Sequence, residues 1–145
     1  MTLLLAVNMS NREMVPDNAS GAGVVMAADT RFTKKDKSSE DDGQKIWPLN
    51  DVAFSGFTGD IRLAEYAILS TLMGARAHHK GGDPNYARNA LRSYLRYWLR
   101  KFGGNRSITP TTLLVATRNI NKKNNQEEFY LYRLESRHGF RWHKS

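Results

Sequence analysis

The sequence predicts an α+β fold in which strands come first, two helices follow and strands return. Three observations carry this. Short apolar runs suited to buried strands fall at residues 3–7, 24–28 and 52–54. From Gly59 to Phe102 the apolar residues recur at three-to-four spacing, as on one face of a helix. Beyond Thr111 the strand pattern resumes in residues 111–117 and in the alternating run 129–134.

Taken in order, residues 3–7 form a buried strand, and the polar segment 8–20, with the turn signal Pro16-Asp17-Asn18, leads back through Gly21-Ala22-Gly23 into strand 24–28. The pair is an antiparallel hairpin with an enlarged loop. Residues 31–44 are charged, centred on Ser38-Ser39-Glu40-Asp41-Asp42-Gly43, and read as a solvated loop. Residues 45–49 and 52–56 are two short strands turning at Asn50-Asp51. Ile61, Leu63, Ala64, Ala67, Ile68, Leu72 and Ala75 mark an amphipathic helix to about His79. Gly81-Gly82-Asp83-Pro84 breaks it. Asp83 is placed to cap a second helix and Pro84 to begin it. That helix has an apolar face of Ala87, Leu91, Tyr94, Leu95, Trp98 and Phe102, and ends at Gly103-Gly104. Arg88, Arg92, Arg96 and Arg100 form a basic stripe beside the face. It reads as a solvated face, or as a contact to a neighbouring subunit made by Tyr97, Arg96 and Arg100 while Leu91, Leu95 and Trp98 pack on the chain's own sheet. Residues 119–126 read as a polar hairpin loop, and Phe140-Arg141-Trp142 as the start of a last strand.

A length of 145 residues suits a single domain over 1–145. No apolar run approaches the roughly 20 residues that span a bilayer, and residues 3–7 lack the basic flank and cleavage site of a signal peptide. A membrane protein is therefore not expected. With no cysteine, disulfides, thiol catalysis and Cys-ligated metal are excluded, and a cytoplasmic location is expected. The net charge of +8 raises nucleic acid as a partner, but the basic residues are spread along the chain without a recognition motif, so no specific nucleic-acid binding is expected. The four histidines have no carboxylates at ligand spacing, so neither a metal site nor a cofactor is expected.

The candidate chemistry lies in residues 21–60. Asp29 ends one apolar run, Lys45 precedes the next, and Ser55-Gly56-Phe57-Thr58-Gly59 turns into the first helix. Convergence of these would set a charged, partly buried pair beside backbone N–H donors, the setting that activates a nucleophile. The same residues can equally be a surface acid, a surface lysine and an ordinary turn. Thr2 would become the terminal residue on removal of Met1, and its α-amine could then act as base for its own hydroxyl.

With Thr2, Ala28-Asp29-Thr30-Arg31, Lys45-Ile46 and Phe54-Ser55-Gly56-Phe57-Thr58-Gly59-Asp60, the sequence resembles a β-type proteasome subunit of the N-terminal-nucleophile hydrolases. The resemblance implies a sandwich of two antiparallel sheets covered by helices, and a threonine peptidase. Thr2 would be the nucleophile, with Lys45 lowering the pKa of the site, Asp29 holding Lys45 and the Gly59 N–H forming the oxyanion hole. Arg31 would support the site, and Phe32, Phe57 and Ile61 would line the pocket for the side chain before the cut. Implied partners are a peptide or unfolded protein as substrate, further copies in a ring or related homo-oligomer, and an ATP-dependent unfoldase. Family members continue past the strand beginning near Phe140 through a Gly-Ser-Gly turn, two helices and two strands, which supply a serine and an Asp–Ser pair to the site. Against that pattern this sequence, ending at Ser145, is expected to be C-terminally shortened, as a fragment or a short member. The alternatives are an inactive scaffold or binding subunit, and a transpeptidase that passes the same acyl-enzyme to an amine.

Overall fold

In the computed structural model, which describes residues 4–8, 23–29, 32–33, 39–40, 43–102 and 109–144, the order of elements is strands, two helices, strands. β1 (Leu4–Asn8) and β2 (Val24–Ala28) form an antiparallel pair in the register Leu4↔Ala28 to Asn8↔Val24. β5 (Ile46–Asn50), β6 (Ala53–Thr58), β7 (Thr112–Asn121), β8 (Gln126–Glu135) and β9 (His143–Lys144) form a five-stranded antiparallel sheet in chain order. Between the sheets in sequence, β3 (Phe32–Thr33) pairs with β4 (Ser39–Glu40), inside the segment expected to be an unstructured loop. Strands of two residues are too short to leave a period in the sequence.

α1 (Ile61–Ala77) and α2 (Pro84–Lys101) cover one face of the large sheet. Asp60 caps α1, its carboxylate accepting from Leu63 N–H at 2.9 Å. Asp83 caps α2, accepting from Asn85 and Tyr86 N–H, with Pro84 in the first turn. The helix-side core is built from Leu63, Ala67, Ile68, Leu91 and Leu95 against Phe57, Leu113, Val115 and Leu134, all buried. The Asn50–Asp51 turn is tied to the linker between the helices. Asn50 Nδ2 donates to the carbonyls of Lys80 (3.1 Å) and Asp83 (2.8 Å), and Asp51 N–H donates to Gly81 O (2.9 Å).

The opposite face of the large sheet meets the β1–β2 pair, giving the α+β sandwich of two antiparallel sheets. The sheets approach tightly at Gly56 in β6. A Cβ there would lie 2.6 Å from both Leu4 Cδ1 and Met26 Sδ, so only a hydrogen fits without moving them. On the outer face of the pair, Leu5, Val7 and Val25 are exposed.

Two corrections concern the second half. β7 and β8 run on through residues assigned to a loop, pairing from Thr112↔Glu135 to Asn121↔Gln126. Phe140, expected to start the last strand, is instead a fully buried anchor with φ 54° in the turn after β8, and the ladder with β8 begins at His143. The arginine stripe explains the anchor. Arg92 Nε donates to Phe140 O (3.1 Å), Arg96 Nε and Nη2 to Gly139 O (3.3 Å each), and Arg88 lies over the Tyr132 ring at 4.7 Å. The stripe thus clamps the chain's own turn, with Arg96 still exposed. Leu91 and Leu95 are buried, Trp98 stacks on Phe102 at 5.6 Å, and Tyr97 is exposed.

Filling the inter-sheet gap should be costly. Gly56→Val is expected to lower unfolding stability by about 1–3 kcal/mol, read by chemical denaturation. The penalty should shrink in a Leu4→Ala background, because the clashing methyl is then absent.

Candidate functional site

The site forms where the two sheets end together. β2 stops at Ala28, so Asp29 is the first residue off the small sheet, and Lys45 is the residue immediately before β5 of the large one. Lys45 Nζ donates to Asp29 Oδ1 in an ion pair that bridges the sheets. Lys45 is 3 % exposed, while the Asp29 side chain is 35 % exposed, so the carboxylate forms the solvent side of the pair. A buried ammonium without such a partner would carry a desolvation cost of several kcal/mol.

Lys45 O accepts from Phe57 N–H at 3.1 Å, which sets Lys45 beside the end of β6. Two residues on, Gly59 has φ 100°, in a region that disfavours any side chain. A Cβ there would collide with the Pro110 carbonyl and come within 2.7 Å of Thr111 Cα. Glycine is required at this position on both counts. The turn is buttressed from the next strand. Asp60 N–H donates to Thr111 Oγ1 (3.0 Å), Thr111 N–H to Ser136 Oγ (2.9 Å) and Ser136 N–H to Thr111 O (2.9 Å). Thr111 and Ser136 were not singled out from sequence. Their spacing of 25 residues carries no local signal, and their roles appear only once β7 and β8 are paired.

Glu135 completes this support. It is 7 % exposed, with Arg137 at 2.7 Å and Arg133 and His138 at 3.3 Å. The hydrogen bond from Arg137 holds its carboxyl below the ordinary 4.5, against the opposing effect of burial.

The other expected site residues divide. Thr2 and Arg31 lie outside the described residues, and Phe32 is placed only as backbone in β3. Ile61 opens α1 and is partly buried against the core. Phe57, expected in a substrate pocket, is 1 % exposed and its ring packs in the helix-side core. A cavity of about 370 Å³ between the sheets, bordered by Val24, Phe54, Thr117 and Phe129, lies at the end of the strands remote from Lys45. Among the described residues no three His, Cys, Asp or Glu side chains are grouped to hold a metal.

The α+β sandwich thus carries a Lys45–Asp29 ion pair across its sheet ends, next to a turn that requires glycine. A family model described as Proteasome subunit matches residues 19–109, more than half of the chain, and the chain belongs to the proteasome subunit family. The matched region contains Asp29, Lys45, Gly59 and both helices. No match was found among curated proteins.

Removing the two members of the pair should have unequal effects. Asp29→Asn takes a charged partner from a buried ammonium and is expected to cost about 2–3 kcal/mol, toward the lower end for buried pairs because the carboxylate is partly solvated. Lys45→Met removes the buried charge itself and should cost less, so thermal melts should rank Asp29→Asn below Lys45→Met. Acid titration gives a second check. Because the Glu135 carboxyl is held low in the folded state, its contribution is complete above about pH 4.5 and is lost as pH falls through the lower folded value. Glu135→Gln should flatten the acid limb of stability against pH.

Proposed function

We propose that this chain is a proteasome-type threonine peptidase that cleaves peptide bonds through an acyl-enzyme on Thr2, exposed by removal of Met1. The observation that carries the reading is the Lys45–Asp29 pair at the end of β2. Leu4 pairs with Ala28, Asp29 follows Ala28, and only Leu3 lies between Leu4 and Thr2. In this reading the terminal α-amine takes the Thr2 hydroxyl proton as the oxygen attacks the scissile carbonyl. The Lys45 ammonium favours the neutral form of that amine and stabilises negative charge developing on the Thr2 oxygen. Asp29 keeps Lys45 oriented. The Gly59 N–H donates to the oxyanion of the tetrahedral intermediate, and the Thr111–Ser136 buttress holds that turn rigid, so little reorganisation is needed during the reaction. The protonated amine then passes its proton to the leaving amine, and water releases the acyl group. If an amine replaces water in that last step, the product is a new peptide bond.

Proteasome subunits generally assemble into rings, and assembly of this chain into a homo-oligomer is part of the proposal. Tyr66, Leu69 and Met73 on α1 and Tyr97 on α2 are exposed large apolar side chains suited to a subunit contact. An unfolded protein delivered by an ATP-dependent unfoldase is the proposed substrate, and the cytoplasm the proposed location. Among the described residues no helix is long and apolar enough to cross a membrane.

Intact mass of the purified chain should show loss of Met1. Thr2→Ala should reduce cleavage of a fluorogenic peptide to background, and Lys45→Ala should lower it by about 10²-fold or more. Undiminished cleavage by Thr2→Ala would overturn the mechanism. Absence of cleavage in the assembled wild type, with Met1 retained, would identify a scaffold subunit instead. Adding an amine nucleophile and finding ligated product would identify transpeptidation.

A further inference from the structure

The turn after β8 gathers basic side chains from three separate segments. Arg96 comes from α2, Arg137 and His138 from a 3-10 turn (Ser136–His138), and Arg141 and His143 from the chain entering β9. With Gly139 they line a surface cavity of about 470 Å³, and no carboxylate is among its described lining residues. The adjacent acid, Glu135, is nearly buried and already engaged by Arg133, Arg137 and His138.

The guanidinium groups are only partly used. Of its five N–H donors, Arg96 directs Nε and Nη2 to Gly139 O, and Arg137 directs Nε to Glu135. Arg141 is exposed and makes no hydrogen bond or ion pair among the described residues. Three guanidiniums around one concavity repel one another in the absence of a counter-ion. Their planar forks match the paired oxygens of phosphate groups. A single carboxylate can occupy one fork, whereas a short phosphate chain presents enough oxygens for all three.

We propose that this cavity binds a compact oligophosphate, a di- or triphosphate group held by Arg96, Arg137 and Arg141. The site is on the helix side of the large sheet, formed by α2 and the turn after β8, and does not use Lys45 or Asp29. It therefore stands or falls separately from the peptidase reading.

Calorimetric titration of the full chain with inorganic tripolyphosphate, at constant ionic strength, tests it. Saturable binding of one tripolyphosphate per chain is expected. Arg141→Gln should weaken it about tenfold or more, the scale of one lost charged hydrogen bond. Arg141 has no hydrogen-bond or ion-pair partner among the described residues, so the circular dichroism melt of the variant should match wild type. Lys122→Gln removes the same charge from the distant β7–β8 turn and should leave affinity unchanged. ATP binding with comparable affinity would support recognition through the phosphates alone. No measurable tripolyphosphate binding would overturn the proposal. Equal weakening by Lys122→Gln and Arg141→Gln would also overturn it, because the attraction would then be that of net charge. Binding of ATP without binding of tripolyphosphate would do the same.

Discussion

An ammonium group leaves water only if something charged or strongly polar meets it, and Lys45 is almost entirely out of water. Its partner Asp29 stands on the other sheet, so the electrostatic requirement of one side chain becomes a constraint on how two sheets sit together. The same approach is fixed at two further points. Gly56 lets the Leu4 and Met26 side chains close onto β6, and Asn8 Nδ2 donates to Phe129 O at 3.1 Å near the other end. An ion pair, a missing side chain and a hydrogen bond together define the spacing of the sandwich along its length. The glycine turn at residue 59 then falls beside the ion pair, because Lys45 is hydrogen-bonded to the strand that ends in that turn.

The helix layer solves a different problem. A turn whose apex is exposed but whose Phe140 side chain is fully buried leaves carbonyl oxygens at residues 139 and 140 without strand partners. Arg92 and Arg96 meet them, while the stem of the helix face packs Leu91 and Leu95 into the core. Arginine suits both demands, since its aliphatic stem lies along apolar surface while the guanidinium reaches an acceptor beyond it. The stripe on α2 therefore works as a fastening for the last turn of the sheet.

Much of the architecture was legible in sequence because burial leaves a period. The i, i+3, i+4 spacing from Ile61 to Ala75, the Asp83 cap and the runs at 24–28 and 52–54 all mark elements that are present. The extension of β7 and β8 was not legible. Residues 119–121 and 126–128 pair with each other but cover no core, so they are mostly polar and look like a loop. Phe140 and Trp142 gave the alternation of a strand although the backbone turns at Phe140. In the candidate site, Asp29, Lys45 and Gly59 could be singled out as chemical types, whereas Thr111 and Ser136 could not. A hydroxyl that buttresses a turn through tertiary pairing has no neighbours in sequence that announce it.

The pairing of β6 with β7 joins residues 53–58 to residues 112–117, with both helices threaded between them. By contrast, β7 meets β8 across a four-residue turn, and α1 meets α2 across a short linker. Local hairpins close cheaply and quickly, but joining strands across an intervening helical pair first requires a long loop to be closed. Folding is thus expected to form the helical hairpin and the β7–β8 ribbon early and to be limited by their docking onto β6. Until that step Phe57 and Leu113 face water. The Gly59 turn, which depends on Thr111 for its support, is organised only at the end.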